Sequence, residues 1–268
     1  LIQDREAPPA QLPIRSSAEV NGIALSVQRL GSGQHMVFLH GASGVPSWLP
    51  FFDLIAGDGL IVPDHPGFGY SPDAEWIRNV SDVAMFYLDV FEELDLRNVH
   101  VVGHSLGGWI AAEMAVRDRS RFRSLTLIAP AGIRIKGIPC GDNFIWNPEE
   151  TARNLFFDQR FSEAMLARVP TDEEADILLQ NRFTAAKLGW QPRWFNPDLE
   201  KWLHRAKLPT QLIWGDHDKL MPYAYAALWR DLLPQARLAT IERCGHLPHV
   251  ERAEEVAAII TRFTETVA

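Results

Sequence analysis

The segment with the clearest chemical meaning is Gly103-His104-Ser105-Leu106-Gly107-Gly108, where a serine sits between small residues directly after the apolar run Val99-His100-Val101-Val102 and directly before a helical pattern. A hydroxyl on so sharp a strand-to-helix turn is held in a strained backbone, and glycines on either side let neighbouring chain segments approach closely. The turn lifts Oγ to the carboxyl end of a strand. There a helix N terminus offers unpaired N–H groups and a partial positive charge to a developing oxyanion. Ser105 is therefore the candidate nucleophile.

A serine is a poor nucleophile at neutral pH, so a base must lie within hydrogen-bond reach, and histidine is the side chain tuned for that task. Of nine histidines, only His246 and His249 follow the last strand-like run, at 236–242, and Gly245-His246 reads as a loop presenting an imidazole where a sheet ends. His246 is the candidate base, with His249 a surface or supporting neighbour and His104 a packing residue of the serine turn. The imidazole needs a carboxylate to fix its tautomer and stabilise the imidazolium. Gln211-Leu212-Ile213-Trp214-Gly215-Asp216-His217-Asp218 ends a strand with two acids. Asp218, three positions after Gly215 and four before Pro222, is preferred, and Asp216 is the alternative. A metal site at Asp216, His217 and Asp218 is disfavoured because no second cluster with ligand spacing accompanies it.

The elements that must position these residues are legible as patterns. Ile23, Leu25 and Val27 alternate with polar neighbours before a Gly-Ser-Gly turn, as in a half-buried hairpin strand. The runs at 36–39, 60–62, 99–102, 125–128 and 211–214 are short, continuous and apolar, as parallel strands covered on both faces are. Between them, residues 81–94 carry a helical apolar face with Ser81 as N-cap and Asp82 near the positive end. Residues 106–117 form a small-residue helix and 254–263 a final amphipathic one. Alternating strands and helices predict an α/β, doubly wound and mostly parallel sheet. Residues 133–206 break this rhythm with Phe144, Trp146, Phe156, Phe157, Phe161, Trp190, Trp194, Phe195 and Trp202 among helix-like stretches. They read as a mostly helical insertion that buries apolar surface.

Composition excludes several other roles. A chain of 268 residues supports one large core with an elaboration, and a formal net charge of -8 with no basic run disfavours nucleic acid as a partner. Residues 1–13 have neither the basic start nor the apolar stretch of a secretory signal, and no segment approaches the apolar length of a membrane span. Cys140 and Cys244 are expected to be small buried residues rather than a disulfide framework. The expected setting is the cytoplasm, as a monomer or homodimer, with no cofactor and no metal.

The chain order Ser105, Asp218, His246 and four motifs together resemble α/β-hydrolase fold enzymes over nearly the whole length. The motifs are His40-Gly41 after the third strand, Asp64-His65-Pro66-Gly67-Phe68-Gly69-Tyr70-Ser71 after the fourth, the serine turn after the fifth, and Gly215-x-x-Asp218 after the seventh. The resemblance implies an eight-stranded, mostly parallel sheet flanked by helices, built from 1–132 and 207–268, with 133–206 as a helical lid or cap. It also implies an oxyanion hole made by the backbone N–H groups of Ala42 and Leu106. Substrate contacts are expected from His40, Gly41, Ser43 and His104, and from the aromatic insertion through Trp146, Trp190 and Trp194.

The activity so implied is hydrolysis of a small-molecule carboxylic ester, of small to medium apolar acyl length, through an acyl-enzyme. Haloalkane dehalogenases and epoxide hydrolases, similar in fold, place aspartate where Ser105 stands. Carbon–carbon bond hydrolases of aromatic ring-cleavage products share the serine triad, yet they pair the nucleophile with a preceding Asn and a following Met. This chain has His104 and Leu106 there, Ala42-Ser43-Gly44-Val45-Pro46 in place of their Gly-Pro-Gly, and Val250 in place of a Trp four residues past the base. Cofactor-free haloperoxidases carry an aromatic residue where Ala42 stands. The rival outside enzymology is a ligand receptor that keeps the pocket of this fold without turnover.

Overall fold

In the computed structural model, residues 12–33, 36–45 and 47–267 are described. Most of the 1–13 segment read above lies outside them. Eight strands form one sheet in the order β1-β2-β4-β3-β5-β6-β7-β8. They are β1 (Ile14–Val20), β2 (Ile23–Gly31), β3 (Met36–Leu39), β4 (Gly59–Pro63), β5 (Val99–His104), β6 (Phe122–Ile128), β7 (Thr210–Gly215) and β8 (Ala236–Ile241). Only β2 runs against the rest, pairing antiparallel with both β1 and β4. From β4 to β8 every pairing is parallel.

The continuous apolar runs follow from burial on both faces. In β3, Val37 and Leu39 join one core cluster and Met36 and Phe38 the other; in β7, Leu212 and Trp214 face one side and Ile213 the other. The first face is covered by α2 (Val80–Glu93), α3 (Leu106–Arg117) and α7 (Ala224–Leu232), which supply Phe86, Ile110 and Trp229. The second is covered by α1 (Pro50–Ile55) and α9 (Ala253–Thr266), through Phe52 and Ile260. Each strand residue therefore exchanges water for packing whichever way it points, and alternation disappears from the sequence.

The N-cap of helix α2 is Asn79, two residues before the expected Ser81. Asn79 accepts from the Asp82 amide and Asp82 accepts from the Asn79 amide, a reciprocal capping box that Ser81, already in the first turn, cannot make. Between β6 and β7 the chain forms α4 (Pro148–Leu155), α5 (Gln159–Ala167) and α6 (Asp172–Gly189), followed by two short 3-10 turns, Leu199–Lys201 and Leu203–Arg205. These elements fall within residues 133–206. Cys244 is buried, whereas Cys140 is only half-buried, and both thiols are free.

The order of β3, β4 and β5 places the reacting groups. After β3 the chain crosses to β4 on one side, and after α2 it returns to β5 on the other. The carboxyl ends of β3 and β5 thus flank a point where the winding reverses, the place where open α/β sheets bind ligands. The loop carrying Gly41, Ala42 and Ser43 leaves β3 here, and Ser105 leaves β5 beside it.

Candidate active site

Ser105 joins β5 to α3 with φ 52° and ψ -112°, a left-handed backbone that costs a non-glycine residue roughly 1–3 kcal/mol. Three main-chain bonds hold it there. Its N–H donates to the Ile128 carbonyl at 2.9 Å, and its carbonyl accepts from the amides of Trp109 and Ala131 at 3.0 and 3.1 Å. The turn also needs close chain approach: a Cβ on Gly107 would stand 2.0 Å from the Leu39 carbonyl oxygen, and one on Gly103 2.4 Å from that of Gly107. Gly107→Ala is therefore expected to destabilise the protein by ~3 kcal/mol, since backbone rather than a flexible side chain must move. Urea denaturation would show this as a lower midpoint at unchanged m-value; an unchanged midpoint would refute it.

The other two triad candidates converge on this serine from distant parts of the chain. His246, in the loop after β8, has Nε2 3.0 Å from Ser105 Oγ, and its Nδ1 lies 2.7 Å from Asp218 Oδ2. The carboxylate can only accept, so Nδ1 carries the proton and Nε2 is left to accept from the serine hydroxyl. All three side chains are buried. Asp218 is itself fixed by the turn after β7, because Oδ1 accepts from the amides of Leu220 and Met221, both at 2.8 Å. Asp216, the alternative acid, turns away, with His217 Nδ1 at 2.6 Å and the Cys244 amide at 3.3 Å.

The His246 loop is tied to the helical insertion. The His246 amide donates to the Leu155 carbonyl at 2.8 Å. Buried Glu251, on the short helix α8 (Pro248–Glu251), accepts from the amides of Phe157, Asp158 and Gly245. Across the site, Asn181 of α6 donates through Nδ2 to the Ser43 carbonyl at 2.9 Å and accepts from the Gly69 amide at 2.8 Å. The loop that follows β3 is thus pinned from above. Among the described residues, neither the Ala42 amide nor the Leu106 amide, the latter in the first turn of α3, donates to a protein acceptor. Both are free to receive an oxyanion.

Four neutral histidines surround these groups. His40 donates from Nδ1 to the Gly41 carbonyl and accepts the His65 amide at Nε2; His65 donates from Nε2 to the His40 carbonyl and accepts the Tyr87 hydroxyl at Nδ1. His104 donates from Nε2 to the His246 carbonyl at 2.9 Å, steadying the main chain of the candidate base. His249 is buried rather than at the surface, packed on Phe38, Phe51 and His104, because α8 turns it inward beneath the loop.

Burial is the leading reason that His40, His65, His104 and His249 all lie below the ordinary histidine pKa, with His249 pushed down to about 3. The unfolded chain takes up these protons and the folded one does not, so stability is present above about pH 6.5 and is lost as pH falls below it. While all four resist protonation the loss approaches ~1.4 kcal/mol per pH unit for each. Denaturation midpoints followed from about pH 7.5 to about pH 4.5 should fall steeply; a flat profile would contradict this assignment.

The groups meet in a cavity of about 190 Å³. Its wall includes His40, Gly41, Ala42, Ser43, His104, Ser105, His246 and Trp194. Trp194 donates from its indole to Asn143 Oδ1 at 2.9 Å. Trp146 and Trp190 do not line the cavity. Trp190 is half exposed, lying under the Arg193 guanidinium and edge-on to Phe144, and Trp146 packs over Gly141 instead of facing the cavity. Both rings help to build the insertion itself. Leu155, Met165, Met221 and His249, not anticipated as substrate contacts, do line the cavity. Nothing in the residue types of Leu155 and Met165 distinguishes them from ordinary apolar positions of an amphipathic helix.

A larger open groove, about 690 Å³, lies away from Ser105 between the α2 N terminus, α3 and the insertion. Its buried acid, Glu113, is already engaged by Trp109, Asn196 and Arg117. The reactive groups belong to the smaller cavity. Among the described residues no set of three or more His, Cys, Asp or Glu is arranged to hold a metal ion, and no helix is long and apolar enough to cross a membrane.

Comparison with known proteins places this geometry in context. Residues 34–253 match a family described as alpha/beta hydrolase fold. The chain is 29% identical to a 2-hydroxymuconate semialdehyde hydrolase of Pseudomonas sp. (strain CF600), covering 90% of each chain. It is 27% identical to Lipase 1 of Psychrobacter immobilis, covering 92% of this chain and 83% of the lipase. Among solved structures, a membrane phospholipase A described as a bacterial virulence factor superposes with a TM-score of 0.78 at 25% identity, over 95% of this chain and 86% of its own. A serine hydrolase involved in carbazole degradation superposes with a TM-score of 0.77 at 18% identity, over 95% of this chain and 100% of its own, a likeness of fold.

Proposed function

The chain belongs to the α/β-hydrolase fold family, and from that premise we propose that it is a serine hydrolase of carboxylic esters, acting through Ser105, His246 and Asp218. The observation that carries the reading is the continuous relay from Ser105 Oγ through His246 to Asp218, with contacts of 3.0 and 2.7 Å beside a cavity that all but Asp218 line. His246 takes the Ser105 proton as Oγ attacks the ester carbonyl. The tetrahedral oxyanion is received by the amides of Ala42 and Leu106, each such donor being worth ~3 kcal/mol in the transition state. The imidazolium then protonates the departing alcohol. Water activated by His246 cleaves the acyl-enzyme and restores the serine.

Size and charge narrow the substrate. A cavity of about 190 Å³ is smaller than the ~300–1,000 Å³ of drug-sized sites, which favours short esters. Residues 133–206 serve as the lid over it, contributing Leu155, Met165 and Trp194 to the wall. Relatives named for carbon–carbon cleavage raise the alternative activity, but a muconate semialdehyde carries a carboxylate. Among the described residues lining the cavity there is no Lys or Arg to receive one, and an unpaired carboxylate is costly to bury.

The test combines a panel of p-nitrophenyl esters graded by acyl length with a fluorophosphonate probe. Turnover of the short esters, and stoichiometric labelling that disappears in Ser105→Ala, are the expected results. Cleavage of a vinylogous diketone without ester turnover would assign the carbon–carbon activity. A folded protein unreactive to the probe would favour a ligand receptor.

A further inference from the structure

The relay leaves one histidine of the cavity wall without a task. His249 is 4% exposed, its Nδ1 is buried with no hydrogen-bond partner, and its Nε2 bonds no protein group among the described residues. The other imidazoles of the wall behave differently: His40 and His246 use both ring nitrogens, and His104 uses Nε2. Among the described residues three further buried side-chain atoms lack partners, on Gln28, Asp64 and Trp229, and none of those residues lines the cavity. A buried imidazole nitrogen left without a partner is unfavourable. A phenyl ring would suit the surrounding Phe38 and Phe51 without that cost.

Its position gives the imidazole a use. The His104 ring lies 5.0 Å from that of His246 and 4.4 Å from that of His249, so it links the base of Ser105 to His249 within the cavity wall. An ester bound at Ser105 shares this cavity with His249. Resting on the serine-hydrolase reading above, we propose that His249 is a specificity residue whose imidazole hydrogen-bonds one uncharged oxygen, a hydroxyl, ether or ketone, on an arm of the ester. The favoured substrates are then short oxygen-substituted esters, ahead of plain alkyl esters of the same length. A neutral imidazole offers one donor and one acceptor, so it can serve any of these oxygens. Burial, with His246 nearby, keeps it neutral far into the acid range. With no Lys or Arg among the described residues of the wall, a charged arm would be left without a partner.

The experiment compares matched substrates of equal length on both arms. The acyl-arm pair is p-nitrophenyl pentanoate and p-nitrophenyl 4-oxopentanoate; the alcohol-arm pair is pentyl acetate and 3-methoxypropyl acetate. For each pair the ratio of kcat/KM, oxygenated over plain, is measured in the wild type, His249→Phe and His249→Gln, which cancels intrinsic differences in ester reactivity. The expected result is a ratio that falls about tenfold in His249→Phe for at least one pair, the size of one net hydrogen bond, and that largely survives in His249→Gln. A change below about threefold in both pairs, or an equal loss in His249→Gln, overturns the proposal. Plain-ester turnover that Ser105→Ala abolishes keeps the serine-hydrolase reading intact in that event. Absence of plain-ester turnover removes both.

Discussion

Replacing His246 with alanine is expected to lower kcat on a short p-nitrophenyl ester by about 10⁶-fold while leaving KM little changed. The geometry sets the size of the effect. Ser105 Oγ has His246 Nε2 at 3.0 Å, and among the described residues no other imidazole nitrogen hydrogen-bonds it. Most of the cavity wall is formed by other residues, which is why the loss falls on the chemical step. Residual activity near the wild-type level would mean that another group removes the serine proton.

Asp218→Asn should cost about 10⁴-fold in kcat, less than loss of the base but far more than loss of an ordinary hydrogen bond. Asp218 Oδ1 is held by two amide donors, so the oxygen of an asparagine would stay there and its NH2 would face His246. An NH2 can only donate. It would impose the tautomer with the proton on Nε2, the nitrogen that must accept from Ser105. Because the side chain keeps its shape, folding should be preserved, and the melting temperature together with kcat separates this outcome from simple destabilisation. Wild-type activity in this variant would exclude Asp218 from the relay.

The parts of this architecture visible in the sequence are those where chemistry and packing coincide. The run at 99–102 followed by Gly-His-Ser-Leu-Gly-Gly announces β5, the turn and α3 together, because strand burial and glycine approach each restrict the residue types. Strand β1 left no comparable trace: it pairs only with β2, and most of its side chains face water. The N-cap of α2 was misplaced because Ser81 and Asn79 are both good caps, and only the reciprocal bond to Asp82 decides between them. Trp194 and Trp190 are four residues apart and chemically alike, yet one faces the cavity and the other stacks outside it. That difference depends on how the insertion folds back, which no local pattern records. In the sequence His249 reads as a surface or supporting neighbour, because a histidine gives no sign of burial until its neighbours are in place.

The main-chain ties at Leu155, Phe157 and Asp158 bear on how this enzyme could diversify. An insertion hung on two strands as a detachable module could be swapped for another to change substrate preference. Here the short stretch at 155–158 is also the scaffold that holds the loop presenting His246. A chimera that exchanges residues 133–154 and 159–206 but retains those four positions keeps the proton-transfer geometry, whereas a wholesale graft trades selectivity and catalysis away together.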